Sequence, residues 1–270
     1  MATTQAALDH IIILLPANAV DELPSVLTDA FTITPGGTHA DGKTYNKLVV
    51  LPSGVYLEFI AFVDDDLKNK QDHWWGKKSA GTIIDWALTS ANVNDVNKLA
   101  GGGLYDEPRQ GGRKRADGKD VEWVVTFPRM GVERGSVPFF CHDITPRHLR
   151  VPLDHVRHQS GAVGVKKVVV VTASDRLAEL EETYTMILGA SMKEEVRSWR
   201  LSEPVSNTSG GPIIELVEAV SEEDLSLVKE NGGVAGVKEI SLVCDRTNQQ
   251  SERIEVAFNG RCVRINLETE

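Results

Sequence analysis

His10 and Glu58 are ionisable groups set in apolar company: His10 interrupts the run from Leu8 to Leu15, and Glu58 the run from Val55 to Val63. A strand bound for a core does not keep an unpartnered carboxylate, so such a group needs a compensating contact. An imidazole and a carboxylate together suit a divalent cation such as zinc, iron, manganese or nickel. A cation held by few protein ligands also keeps open positions for two neighbouring substrate oxygens. As a Lewis acid it would stabilise the oxyanion formed when a base removes a proton beside a carbonyl. The plainer alternative puts His10 at a hydrogen-bonded strand end and turns Glu58 to solvent. Arg113-Lys114-Arg115, beside Asp117-Gly118, is a basic loop in an acidic chain. Its arginines match a substrate carboxylate or phosphate, although a solvated hairpin tip would look the same, above all for Lys114. His39 and Asn46 are candidates for the same wall, or for ordinary turn and strand-end duties. Trp74-Trp75 is a packing plug or an aromatic wall. His155 and His158 have no third partner nearby and belong to their loop. Gly101-Gly102-Gly103 follows a helix pattern instead of opening one, which argues against a phosphate loop.

The elements that must position these groups repeat. Leu8 to Leu15 is a strand signal, Val20, Leu23, Leu27 and Phe31 recur at helical spacing, and Pro35-Gly36-Gly37 breaks the pattern. Tyr45 to Leu51 and Val55 to Val63 follow as strands, joined by the turn residues Pro52-Ser53-Gly54. At a constant offset of 157 (167 − 10, 215 − 58), the helix face falls on Leu177, Leu180, Tyr184 and Leu188, Gly54 on Gly211 and Glu58 on Glu215, without a gap. Turn, strand and carboxylate keep their distance from the helix in both copies, the mark of a structural repeat. His10 falls on Lys167, which is no usual metal ligand, so the third unit is expected to be a degenerate copy with Lys167 and Glu215 as a structural ion pair. A second unit spans Thr82 to Leu88, a short helix through Val93, Val96 and Leu99, and strands Val121 to Phe127 and Val137 to Cys141. The tail has strands Val237 to Cys244, Arg253 to Phe258 and Cys262 to Leu267, with an Asn259-Gly260 hairpin turn and no helix. The expected fold class is α+β: tandem βαβββ modules forming mixed curved sheets, the last module shortened. Two domains are expected, 1–145 with the site and 160–270 without it, divided where Pro146, Pro152 and Gly161 interrupt regular structure.

Composition narrows the function classes. The formal charge of −10 disfavours nucleic acid and anionic membrane, which bind through Lys and Arg, and leaves a small-molecule substrate or a protein partner. Cys141, Cys244 and Cys262 form neither a disulfide framework nor a cysteine metal cage. The polar start from Met1 to Ala7 and the lack of a membrane-length apolar run make a cytoplasmic protein the default.

Leu8-Asp9-His10 opening the first strand and Tyr56-Leu57-Glu58 in the last strand of the first unit resemble the vicinal oxygen chelate superfamily. Gly37-Thr38-His39 with Asn46, Trp86-Ala87-Leu88, Arg113 to Gly118 and Pro138-Phe139-Phe140 are similar to its glyoxalase-like domain proteins. The resemblance covers most of the chain. It implies a cup with a divalent metal on its concave face, held by the first and last strands of each unit. His10 and Glu58 then take the first unit's ligand positions. Matching Leu57-Glu58 with Cys141-His142 puts His142 at the corresponding position of the second, where related sequences carry a carboxylate. Asp85 has inward parity, as a ligand or as a buried structural carboxylate. The expected set is His10, Glu58 and His142 as metal ligands, Glu58 and His142 as catalytic groups, and Arg113, Arg115, His39 and Asn46 around the substrate. The implied activity is a metal-dependent lyase, isomerase or dioxygenase acting on a small oxygen-rich substrate. The alternatives are a metal-free binding or resistance module and a structural homodimerisation domain.

Overall fold

The computed structural model describes residues 6–269 except 18, 65, 95, 97–102, 116, 155, 193–195, 206–209, 246–252 and 259. His155, Leu99, Gly101, Gly102 and Asn259 therefore lie outside the described residues.

Chain order gives β1 (Ala7–Leu14), α1 (Ser25–Thr28), β2 (Thr34–Thr38), β3 (Thr44–Val50), β4 (Tyr56–Phe62), α2 (Leu67–Gln71), β5 (Thr82–Thr89), β6 (Arg109–Lys114), β7 (Asp120–Thr126) and β8 (Phe139–Asp143). These eight strands form one sheet in the order β2-β3-β4-β1-β5-β8-β7-β6. The order reads the same from either end once β1 to β4 are exchanged for β5 to β8, so two units face each other across the β1–β5 pair. The sheet curls until its edges meet: His39 bridges Arg113, and the Ala40 N–H donates to the Gly112 carbonyl at 2.9 Å. Edge closure of this kind protects open strand edges and leaves a concave interior.

After α3 (Arg147–Arg150) the chain enters a second sheet of six strands, β9 (Ala162–Thr172), β10 (Ser198–Arg200), β11 (Ile213–Glu218), β12 (Ala235–Cys244), β13 (Arg253–Phe258) and β14 (Arg261–Thr269), with helices α4 (Leu177–Leu188) and α5 (Glu222–Glu230). Its order β10-β11-β9-β12-β14-β13 is the first layout short of one outer strand on each side. The repeat extends to strand register. In the parallel β1–β4 pair His10 faces Tyr56, and in the parallel β9–β11 pair Lys167 faces Ile213, each partner displaced by the same offset of 157.

One apolar core joins the two sheets. Leu8, Ile11 and Ile13 of β1 pack with Val168 and Val170 of β9, Trp199 of β10 and Ile240 of β12, all buried. Ile12 and Leu14, the alternate residues of β1, belong to a separate cluster inside the cup with Phe139 and Cys141. This period-2 division is what a strand buried on both faces requires.

Three local expectations need correction. The first helix shrinks to the single turn α1, because Pro24 stands outside it as the N-cap with extended ψ 142°, although Val20, Leu27 and Phe31 are buried as the spacing requires. Pro35-Gly36-Gly37 is no break but lies within β2, an edge strand, where a missing N–H is tolerated. Arg113 belongs to strand β6, and the hairpin tip starts only at Arg115. Among the described residues no helix is long and apolar enough to cross a membrane.

Candidate active site

The interior of the first sheet is a cavity of about 300 Å³. His10 from β1, Asn46 and Leu48 from β3, Tyr56 and Glu58 from β4, and Arg113 from β6 all line it, with His39 at the β2 end. Five further aromatic side chains stand in the wall: Trp74, Trp75, Trp123, Phe127 and Phe139.

His10 is held from both ends. Its Nδ1 lies 2.6 Å from Asp9 Oδ1, and its Nε2 lies 3.5 Å from Glu58 Oε2. Its ring stacks on Tyr56 with centroids 4.6 Å apart and 11° between planes. Neighbours in a strand normally point to opposite faces, but the β1–β5 register slips between Leu8 and His10, so Asp9 is the extra residue of a bulge. Asp9 is fully buried and clamped by two arginines: Arg150 donates to both of its oxygens at 2.9 and 3.0 Å, and Arg147 to Oδ2 at 2.7 Å. Burial alone would raise this carboxyl, but Arg147 and Arg150 outweigh it and hold the group well below the usual carboxylate range. An ionised Asp9 only accepts hydrogen bonds, so the proton of the contact sits on His10 Nδ1 and Nε2 is the atom presented to the cup.

Glu58 is oriented by Asn46, whose amide donates to Oε1 at 2.5 Å. The Asn46 carbonyl accepts from the Gly37 N–H at 3.1 Å, which fixes which end of the carboxamide faces Glu58. A Cβ on Gly36 would stand 1.9 Å from that carbonyl oxygen, so only glycine allows the arrangement. His39 Nε2 lies 3.4 Å from the same Asn46 amide and 3.7 Å from Glu58 Oε1, while its Nδ1 lies 2.7 Å from the Thr44 hydroxyl. Burial lowers the His39 pKa, which favours the neutral ring.

The expected metal triad does not converge. His142 sits on the opposite face of β8 from the cup: its ring is parallel to that of Phe140, its Nε2 is 2.9 Å from the Ser90 hydroxyl, and it lines a separate cleft with Ser202 and Glu203. The strand pairing explains the error. His10 faces Tyr56 in β1–β4 and Ala87 faces Phe139 in β5–β8, so Ala87 is the counterpart of His10 and Cys141, two residues past Phe139, is the counterpart of Glu58. Matching Glu58 with His142 was one residue off, and one residue reverses the face. Burial pushes the Cys141 thiol far up, so it stays protonated and offers no thiolate. Among the described residues no three His, Cys, Asp or Glu side chains are grouped to hold a metal ion. The set expected from the resemblance is therefore not assembled: the second unit has Ala87 and Cys141 where the first has His10 and Glu58.

The other predicted residues divide. Arg113, His39 and Asn46 stand in the cup wall. Arg115 does not; its guanidinium donates to Asp117 at 3.1 Å and to the Leu149 carbonyl at 2.8 Å, fastening the hairpin tip to α3. Asp85 lies beneath the aromatic wall, accepting from Trp75 Nε1 at 2.8 Å, and burial pushes its carboxyl up to about 6. His158 pins its loop between the Val50 carbonyl at 2.8 Å and the Thr32 N–H at 3.1 Å. Lys167 and Glu215 pair at 3.3 Å, outside any cavity that carries these cup residues. Sequence reasoning missed Asp9, Arg147, Arg150 and Trp123. Asp9 needed the bulge to be known, and both arginines lie in a Pro-punctuated connection that looks like linker.

The curved sheets, their mirrored order and the inward-facing cavity define a vicinal oxygen chelate fold. The chain belongs to the glyoxalase-like domain family, which matches residues 8–188. A hypothetical protein from Staphylococcus aureus aligns over 97% of this chain and 100% of its own, with 15% identity and a TM-score of 0.67. A 4-hydroxymandelate synthase from Streptomyces coelicolor aligns over 90% of this chain and 72% of its own, with 12% identity and a TM-score of 0.53. A xylose isomerase-like TIM barrel/4-hydroxyphenylpyruvate dioxygenase fusion protein aligns over 91% and 37%, with 11% identity and a TM-score of 0.53. No curated protein matches the sequence. At these identities the structural likeness establishes the fold alone.

Proposed function

We propose that the cup is the site of a small-molecule enzyme in which His10 and Glu58 move a proton at a carbon beside a carbonyl, as an isomerase or lyase requires. The observation that carries this reading is the line Asp9–His10–Glu58: a buried, ionised Asp9 sets the tautomer of His10 and aims Nε2 at a carboxylate 3.5 Å away inside an aromatic cavity. A pair of acid–base groups held at that separation can pass a proton onto and off a bound molecule. Tyr56 supports the imidazole by stacking, while Asn46 fixes the Glu58 oxygen that does not face His10.

The experiment is hydrogen–deuterium exchange at carbon. In D2O, NMR follows loss of the α-proton signal from a panel of small keto and 2-hydroxy compounds with wild-type protein, His10→Gln and Glu58→Gln. Wild type should accelerate exchange for at least one compound and each variant should lower that rate by about 100-fold or more, the scale of a positioned general base. Equal rates in wild type and both variants would refute the reading. A second reading, a cation shared by His10 and Glu58, is favoured by their proximity and by His39 Nε2, 3.7 Å from Glu58 Oε1.

A further inference from the structure

Arg113 is a cation that the folded chain leaves half used. Its side chain is only 6% exposed and lines the cup. Nη2 donates to the Arg150 carbonyl at 3.2 Å, while Nη1 is buried with no hydrogen-bond partner. Among the described residues no carboxylate forms an ion pair with it, whereas Arg150 of the same cavity, and Arg147 beside it, are both ion-paired with Asp9 and Asp143. A buried guanidinium with idle donors is costly, and folding alone gives no reason to keep it there. Burial accordingly lowers its pKa, with Tyr56 and Glu58 opposing.

A second observation says what lies beside the charge. Trp123 crosses β6 above Gly111, where a Cβ would stand 2.5 Å from the indole nitrogen, so glycine is required for the indole to form that wall. Phe127 and Phe139, with ring centroids 4.9 Å apart, continue the wall, and Trp74 lies over Phe127 at 5.0 Å. The cavity thus sets the Arg113 guanidinium beside flat aromatic surface.

We infer that the cup takes an organic carboxylate bearing a planar apolar group, with the carboxylate on Arg113 Nη1 and the planar group among Trp123, Phe127 and Phe139. The ligand's carboxylate supplies the missing counter-charge, and the guanidinium is built for that shape. A single negative charge suits the site better than a phosphate dianion, because Glu58 already contributes negative potential to the same cavity. This deepens the proton-transfer reading: Arg113 would anchor the molecule that His10 and Glu58 act upon.

Binding is tested separately from chemistry. Phenylacetate and 2-naphthylacetate, their neutral amides, acetate and inorganic phosphate are titrated by calorimetry into wild type, Arg113→Gln, Arg113→Lys, His10→Gln and Glu58→Gln. Wild type should bind at least one arylacetate about 10-fold or more tighter than its amide, the scale of a charge-assisted hydrogen bond. That ratio should fall to within about threefold in Arg113→Gln and to an intermediate value in Arg113→Lys. It should not fall below the wild-type value in His10→Gln, nor in Glu58→Gln, which removes a negative charge from the cavity, even if exchange at carbon is absent, so failure of the proton-transfer reading leaves a distinct result. Arylacetates that do not bind wild type, an unchanged ratio in folded Arg113 variants, or phosphate displacing the arylacetate as well as acetate does would each overturn the inference.

Discussion

At the scale of single residues, Asp9 decides what His10 can do. Paired with an ionised carboxylate through Nδ1, the imidazole presents one defined nitrogen to the cup; without it both tautomers are open. Asp9→Asn should therefore lower the exchange rate on any substrate of the wild type by about 10- to 100-fold, the usual cost of losing an orienting partner. The same variant leaves Arg150 buried without its main counter-charge, so a loss of about 3–5 kcal/mol in denaturant unfolding is also expected. The pH sign follows from the depressed carboxyl. Its contribution is fully present above the ordinary aspartate value of 3.8 and is lost as pH falls below that through the folded value, so wild type should lose stability there and Asp9→Asn should not show this component. An ionisable group in an apolar strand made His10 and Glu58 legible, whereas Arg113 was read as part of a basic loop although it lies in β6. Asp9, Arg147 and Arg150 were hidden because their partnership spans 138 and 141 positions of sequence and depends on a bulge.

At the scale of elements, strand parity governs the site. Strand periodicity fixed which halves of β1 and β4 turn inward, but in β8 the same period permits two registers, and only the pairing of Ala87 with Phe139 selects Cys141 over His142. β2 was illegible for a different reason: Pro35 and two glycines suppress strand propensity, and the strand exists because β3 templates it and the ring of strands closes on it. That strand has a task. Gly36 leaves room for the Asn46 carboxamide, whose amide end orients Glu58, so Gly36→Ala should force Asn46 away, lower exchange at carbon and cost about 1–3 kcal/mol as an overpacked contact. A thermal melt and the exchange assay together check this; a Gly36→Ala protein with unaltered rate would show that Asn46 does not govern Glu58.

At the scale of the whole molecule, one unit has been used repeatedly, and its ionisable pair has taken different roles. In the first sheet the pair is His10 and Glu58, facing a cavity; in the second it is Lys167 and Glu215, an ion pair one-third or less exposed on each side. The offset of 157 was legible because helix, turn and strand shifted together. The shared core between the two sheets was not, since apolar alternation tells which side is buried and not what buries it. Within the first sheet the two facing units are unequal: Ala87 and Cys141 stand at the positions that His10 and Glu58 take in the first unit. The most direct test of this account is exchange at carbon measured on protein purified without chelator, with metal content determined on the same sample before and after EDTA. The account predicts a rate unchanged by EDTA and by added zinc, iron, manganese or nickel. Loss of activity on chelation, restored by one equivalent of a divalent metal that His10→Ala and Glu58→Ala proteins fail to bind, would contradict it.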